Sequence, residues 1–162
     1  HWMVRRQRQM CIRDRDCPGH NKLSRLISHR DNNLNRKYSI FVGNGGLYVP
    51  QELERGADGI MTGFAFTEML VDLHNLFSNN KKQEAEDLFD IYLPLIRHEQ
   101  QFGIGLGLRK FVLQQRGIIK SSNVRSPGPV LTEDDIKEMK HLLDRLNSKL
   151  IEKGLPIPKG IN

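Results

Sequence analysis

The sequence has only two cysteines, no long apolar run and no secretory signal. Cys11 and Cys17 follow neither a CxxC pattern nor a disulfide framework, so both are expected to be free thiols. No stretch reaches the roughly 18 apolar residues of a membrane span, and the start lacks the apolar middle region of a signal peptide. These absences predict a soluble cytoplasmic protein without a membrane partner.

Positive charge is concentrated at the start of the chain. The net charge is +6, but residues 1–15 hold five arginines against one acid and so account for four of these charges. The remainder is nearly balanced and has no basic stripe interleaved with aromatic residues, so no nucleic-acid partner is expected. The first 15 residues show no helical or strand period and look foreign to the rest, which predicts a disordered tail. The functional alternatives are a nucleic-acid-binding arm and a transit peptide.

Helices and strands alternate in the part that follows. The apolar spacing predicts a helix over residues 21–30, a strand over 38–42, a helix over 50–55 and a strand over 59–62. Only helices come after them: one bearing Phe66, Met69, Leu70, Leu73, Leu76 and Phe77, then others near 81–101, 107–116 and 133–150. This order predicts parallel strands joined by crossover helices.

Two parallel strands followed by about five helices would leave strand edges unpaired. The chain is therefore expected to be one part of a larger sheet. Thr132 and Asp135 form a near-capping-box arrangement at the start of the last helix. The polar, proline-containing stretch after Leu155 is expected to be frayed and has no assigned role.

Both predicted strands end in glycine. Gly43-Asn44-Gly45 after the first strand is either an ordinary turn or a ligand-binding segment, since glycine and asparagine tolerate left-handed backbone angles. No GK[ST] and no GxGxxG follows, which excludes a P-loop and a dinucleotide fingerprint. The six histidines are scattered singly, so no metal site is expected. Arg109, Lys110 and Arg125 are expected on solvated faces or paired with nearby acids.

Three segments carry a family resemblance: DCPGHNKL, FVGNGGLYVPQELERGADGIMTGFAF, and LGLRKFVLQQRGII with VRSPGPVLTEDD. Together they resemble the C-terminal half of the dihydrodipicolinate synthase and N-acetylneuraminate lyase family. The resemblance implies an α/β fold, a partial (β/α)8 TIM barrel with its last two strands and their helices, followed by a C-terminal helical extension. It places the barrel part at residues 16–79, the extension at 80–150 and a frayed tail at 151–162.

The resemblance also implies a substrate site at the carboxyl ends of the last two strands. Gly43, Asn44 and Gly45 would follow the seventh strand, and Met61 and Thr62 would belong to the eighth. Their expected role is to hold substrate through backbone groups and the Asn44 amide. Met61 would by default also be a core residue of a buried strand.

In this family a lysine on the sixth strand forms a Schiff base with pyruvate or a related 2-keto acid. The motif places that lysine near Arg13, and arginine cannot replace it because its guanidinium stays protonated. The proton-relay tyrosine would come from earlier strands, so no catalytic residue is assigned here. The chain alone is expected to be inactive and to need no cofactor beyond the covalent Schiff base, and the full-length protein is expected to be a homo-oligomer. Aldol cleavage, condensation and dehydration all remain open.

Two rival interpretations stay open. VGNGG followed by GADGIMTG also resembles FMN-binding barrels such as dihydrouridine synthases, in which backbone amides after the last two strands bind the FMN phosphate. Those enzymes usually place an arginine soon after the final strand glycine, where this chain has Phe64. The third interpretation is a small non-enzymatic α/β binding module.

Overall fold

The computed structural model describes the backbone of Cys11–Arg13 together with residues 21–33 and 38–161. The DCPGH part of the first family segment, which includes the Cys17 thiol, and most of the arginine-rich start lie outside the described residues. None of the described helices is long and apolar enough to cross a membrane.

The described chain alternates strands and helices and then becomes purely helical. The mixed α/β class with parallel strands is thereby confirmed. In order, the elements are β1 Cys11–Arg13, α1 Lys22–Asp31, β2 Ser39–Val42, a 3-10 turn Asn44–Gly46, α2 Val49–Glu54, β3 Gly59–Ile60, α3 Thr67–Ser78, α4 Lys82–Glu99, α5 Gly105–Gln115 and α6 Glu133–Glu152.

The described strands form a parallel sheet in the order β1-β2-β3. Arg13 is the partner of Phe41 in one pair of strands, and Phe41 is the partner of Gly59 in the other. The sequence predicted no element in the first 15 residues and only two strands, and for Cys11–Arg13 this prediction is wrong. Three residues are too few to show a period, and backbone pairing with β2 does not depend on side-chain pattern.

The chain divides into two compact units, the first of His1–Gly63 and Leu70–Ala85, the second of Phe64–Met69 and Glu86–Asn162. In the first unit, Asp58 fixes the sheet at the start of β2. Its carboxylate accepts a hydrogen bond from the Ile40 N–H at 2.7 Å and one from the Arg30 guanidinium at 2.5 Å. The Asp58 N–H in turn donates to the Ile40 carbonyl at 2.8 Å. The apolar side chains of Ile40 and Val42 are fully buried.

In the second unit, α6 begins with the predicted capping box. The Asp135 N–H donates to Thr132 Oγ1 at 3.2 Å, and the Thr132 N–H donates to the Asp135 carboxylate at 2.7 Å. The Thr132 N–H is the main cause that lowers the pKa of Asp135, with the Thr132 hydroxyl adding to it. The apolar stripe of the helix is buried at Met139, Leu143, Leu146 and Leu150.

The end of the chain packs on the second unit, so the expectation of a frayed tail is wrong for Lys159–Ile161. Ile161 is 9% exposed, and the Lys159 carbonyl accepts a hydrogen bond from Arg116 Nε at 3.2 Å. Between them, Gly160 has φ +81°, and a Cβ there would lie 2.4 Å from Arg116 Cα. Because Gly160 has no side chain, the tail can approach Arg116 closely, which the polar composition of the tail did not indicate.

Candidate substrate site at the carboxyl ends of the strands

β2 and β3 end side by side, and the predicted site residues leave the sheet at that edge. β2 ends at Val42 and β3 at Ile60, and the Met61 N–H donates to the Val42 carbonyl at 2.9 Å. Because the strands are parallel, the turn after β2 and the residues after β3 start from the same edge. The structure thus brings the two predicted segments together.

The turn after β2 has a left-handed backbone at three successive residues. Asn44, Gly45 and Gly46 have φ values of 45°, 64° and 83°. The Gly46 N–H donates to the Gly43 carbonyl at 2.9 Å, which closes the turn. Gly43 and Gly45 are buried and Asn44 is half-buried. The turn therefore has backbone groups without Cβ atoms at its glycines and one half-buried amide side chain, that of Asn44.

Thr62 lies beside this turn and carries a buried hydroxyl. A Cβ on Gly46 would be 3.4 Å from Thr62 Cγ2, in ordinary van der Waals contact. Thr62 Oγ1 is buried and has no hydrogen-bond partner within the described part of the chain. A buried hydroxyl without a partner is costly, so this atom is a candidate contact for a bound ligand.

Met61 differs from the expectation of a buried core position. Its side chain is 43% exposed, because β3 ends at Ile60 and Met61 already belongs to the connection that follows. Its N–H is bonded to Val42, so its carbonyl is the backbone group that a ligand could contact.

Thr62→Val is expected to raise the free energy of unfolding by about 1 kcal/mol, because it replaces an unpartnered buried hydroxyl with a methyl group of similar shape. Thr132→Val is the matched control. There the hydroxyl caps α6, and its loss should lower stability by about 1 kcal/mol. Urea unfolding measures both variants. A loss of stability in Thr62→Val as large as that in Thr132→Val would show that the Thr62 hydroxyl has a hydrogen-bond partner.

The second unit contains a buried acid that the sequence analysis did not single out. Glu99 is 1% exposed and accepts a hydrogen bond from Arg109 Nε at 3.0 Å, so the expected pairing of Arg109 with an acid is confirmed. Burial raises the pKa of Glu99 to about 7, against the Arg109 charge and hydrogen bond and the Ala65 N–H, which lower it. An acid at the end of an amphipathic helix is ordinarily solvated, so no signal in the sequence marked it.

Arg116, directly after α5, is a second buried charge. It is 5% exposed, its guanidinium donates to the Ala65 carbonyl and to Glu68, and its Cζ lies 4.5 Å from the centroid of the Phe66 ring. No three His, Cys, Asp or Glu side chains among the described residues come together as a metal site. Glu99 and Arg116 are each paired with a partly exposed side chain, Arg109 and Glu68 respectively, and each also bonds the backbone of Ala65.

Comparison with known proteins agrees with this geometry. The chain is 44% identical to dihydrodipicolinate synthase from Rhodopseudomonas palustris, with a TM-score of 0.79 over 83% of this chain and 45% of that one. The 4-hydroxy-tetrahydrodipicolinate synthase from Methylacidiphilum fumariolicum SolV shares the fold at 23% identity, with a TM-score of 0.70 over 87% of this chain and 46% of that one.

A curated relative is L-2-keto-3-deoxyarabonate dehydratase from Azospirillum brasilense, 28% identical over 105 residues, which are 65% of this chain and 34% of the relative. No protein-family model matches. The chain thus spans less than half the length of each of these proteins. Over that partial length, it belongs to the dihydrodipicolinate synthase and N-acetylneuraminate lyase family.

Proposed function

We propose that this chain forms part of the active site of a lyase that makes a Schiff base with pyruvate or a related 2-keto acid. The observation that carries the proposal is the meeting of the Asn44–Gly46 turn with Thr62 at one edge of a parallel sheet, where the Thr62 hydroxyl has no partner among the described residues. The relatives, two synthases and a dehydratase, are consistent with this class.

Each part of the site has a role in this proposal. The glycines at 43 and 45 let the carboxylate of a keto acid approach the backbone, and the Asn44 amide and the Thr62 hydroxyl donate hydrogen bonds to its oxygens. The Met61 carbonyl is available as an acceptor. These groups bind and orient the substrate, while the reaction itself requires a nucleophilic amine.

The amine is proposed to come from the position that Arg13 occupies. β1 ends at Arg13 and lies beside β2, as the lysine-bearing strand would. A desolvated lysine there could attack the keto carbon, whereas the guanidinium of arginine stays protonated and cannot. The chain as it stands is therefore proposed to be inactive. The proton-relay tyrosine, the homo-oligomeric assembly of the full-length protein and the absence of any further cofactor belong to the same proposal.

Trapping with borohydride in the presence of pyruvate tests the proposal. The chain itself should give no reduced adduct. A protein in which residues 16–162 follow their natural upstream sequence, in place of residues 1–15, should give one on a lysine just before Asp16, as located by mass spectrometry of peptides. A reaction without pyruvate is the control. An extended protein that gives no adduct and instead purifies with bound FMN would move the assignment to the flavin barrels.

A further inference from the structure

The imidazole of His98, at the end of α4, lies between Gln101 and Glu138. Its Nδ1 is 3.2 Å from the amide nitrogen of Gln101, which also donates a hydrogen bond to the His98 carbonyl at 3.1 Å. Its Nε2 faces α6, where Oε2 of Glu138 lies at 4.0 Å. All three residues belong to the second compact unit, so their arrangement is a property of that unit alone.

The contact with Gln101 decides which nitrogen of the neutral imidazole carries the proton. An amide nitrogen donates and does not accept, so Nδ1 accepts from Gln101 and the proton lies on Nε2. Nε2 is buried and has no hydrogen-bond partner in the part of the chain that the structure describes. A buried N–H without an acceptor is destabilising, so neutral His98 leaves one polar group unsatisfied.

Protonation of His98 changes the bonding on both sides of the ring. Nδ1 becomes a donor, so the Gln101 amide has to turn its oxygen towards it or move away. Nε2 becomes part of a cation that faces the Glu138 carboxylate. Hydrogen bonds between such charged groups are about 2.7–2.9 Å long, so Glu138 has to approach by about 1 Å. Its side chain is 66% exposed and therefore has room to move.

Most other charged groups around the ring favour the same change. After its capping-box hydrogen bonds, the charge of His98 also lowers the pKa of Asp135, in the first turn of α6. The last turn of α4 attracts positive charge because its free carbonyl groups point that way. On the same helix, Arg97 is an exposed cation and Glu99 is bonded to Arg109. The carboxylates on α6 therefore outweigh the one neighbouring cation.

We infer that His98 forms a pH-dependent contact between α4 and α6, in which protonation of the imidazole closes the gap to Glu138 and releases Gln101. Gln101 lies in the connection between α4 and α5, residues 100–104. One proton therefore strengthens the contact between α4 and α6 and frees a side chain at the start of that connection. The inference does not depend on the proposed function.

A double-mutant cycle of His98→Gln and Glu138→Gln tests the ion pair by urea unfolding of the chain. Histidine ordinarily changes its charge between about pH 5 and 8, so the cycle is measured near pH 5.5 and near pH 8. Near pH 5.5 the two substitutions should be coupled by about threefold in the unfolding equilibrium constant, as expected for a partly exposed ion pair. Near pH 8 the coupling should disappear. A coupling of equal size at both pH values, or none near pH 5.5, overturns the inference.

His141 provides the matched control. It is exposed and follows Glu138 by three residues on α6, so it is the rival partner for the same carboxylate. The cycle of His141→Gln and Glu138→Gln should show a weaker coupling near pH 5.5 than the cycle with His98→Gln. An equal or stronger coupling would assign the pH dependence to His141 and overturn the inference.

Nitrogen NMR of the unsubstituted chain gives a readout that requires no variant to fold. Near pH 8 the proton of the His98 ring should lie on Nε2, and the Gln101 side-chain amide should show its bond to Nδ1. The Gln101 amide signals should shift as His98 gains its second proton. A proton on Nδ1 near pH 8, or Gln101 signals that do not follow the protonation of His98, would also overturn the inference.

Discussion

Arg109→Ala should lower the free energy of unfolding by about 1 kcal/mol more near pH 8 than near pH 5, because the buried Glu99 carboxyl loses the partner that lowers its pKa. The dependence on pH follows from the pKa of Glu99, which burial raises from 4.5 to about 7. A group whose pKa is higher in the folded state binds its proton more tightly there. Its contribution to stability is therefore complete below pH 4.5 and is lost as the pH rises through about 7.

Removal of Arg109 takes away a charge that lowers this pKa, so the pKa of Glu99 should rise further and the loss of stability should extend to higher pH. At low pH Glu99 is neutral in both proteins, and the two should differ little. Urea unfolding at a series of pH values measures the difference. Arg109→Ala made in a Glu99→Gln background is the control, in which the pH dependence of the difference should disappear. A constant difference across the range would show that Glu99 does not titrate there.

Gly160→Ala should detach the end of the chain from the second unit. A Cβ at this position would meet three backbone atoms of Arg116, the nearest at 2.4 Å, and the residue has φ +81°. Gly154→Ala is the matched control, since Gly154 has φ +63° and nothing within 4 Å of the added carbon. Backbone strain of about 1–2 kcal/mol is common to both variants. Gly160→Ala should cost about 2 kcal/mol more, because Ile161 loses its burial.

Urea unfolding gives the difference in stability between these two alanine variants, and digestion with carboxypeptidase reports on the tail directly. The last residues of Gly160→Ala should be removed faster than those of Gly154→Ala or of the wild type. Equal digestion rates for both variants would mean that the contact between Gly160 and Arg116 does not hold the tail.

Local signals predicted most of the elements. The strand predicted over residues 38–42 is Ser39–Val42, the helix predicted over 50–55 is Val49–Glu54, and the last helix begins directly after its predicted cap at Thr132. In each of these elements, the residues that signal its start and its end lie within a few positions of one another in the sequence. β1 and the packed tail were missed because both depend on partners distant in the sequence, the backbone of Ser39–Phe41 for β1 and the Arg116 side chain for the tail.

The candidate site, like the fold, was predicted in part from the sequence. Glycines at the strand ends predicted the turn at 43–46, and the family resemblance added Met61 and Thr62. The structure places these two segments at the same edge of the sheet. Their role in binding stays a prediction. Sequence reasoning could not find Glu99 and Arg116, because burial of a charge is decided by what packs over it. Arg116 stands in one of the segments that carry the family resemblance, but nothing in that segment predicted its burial.

The ion pair of Glu99 and Arg109 also constrains which substitutions this chain can tolerate during evolution. Losing Arg109 leaves the fully buried Glu99 carboxyl without its partner, while exchanging both for apolar side chains of similar volume can be neutral or favourable. Substitution of Arg109 alone should therefore be rare among related sequences, and joint substitutions should be tolerated. Related proteins that lack Arg109 would then lack Glu99 as well.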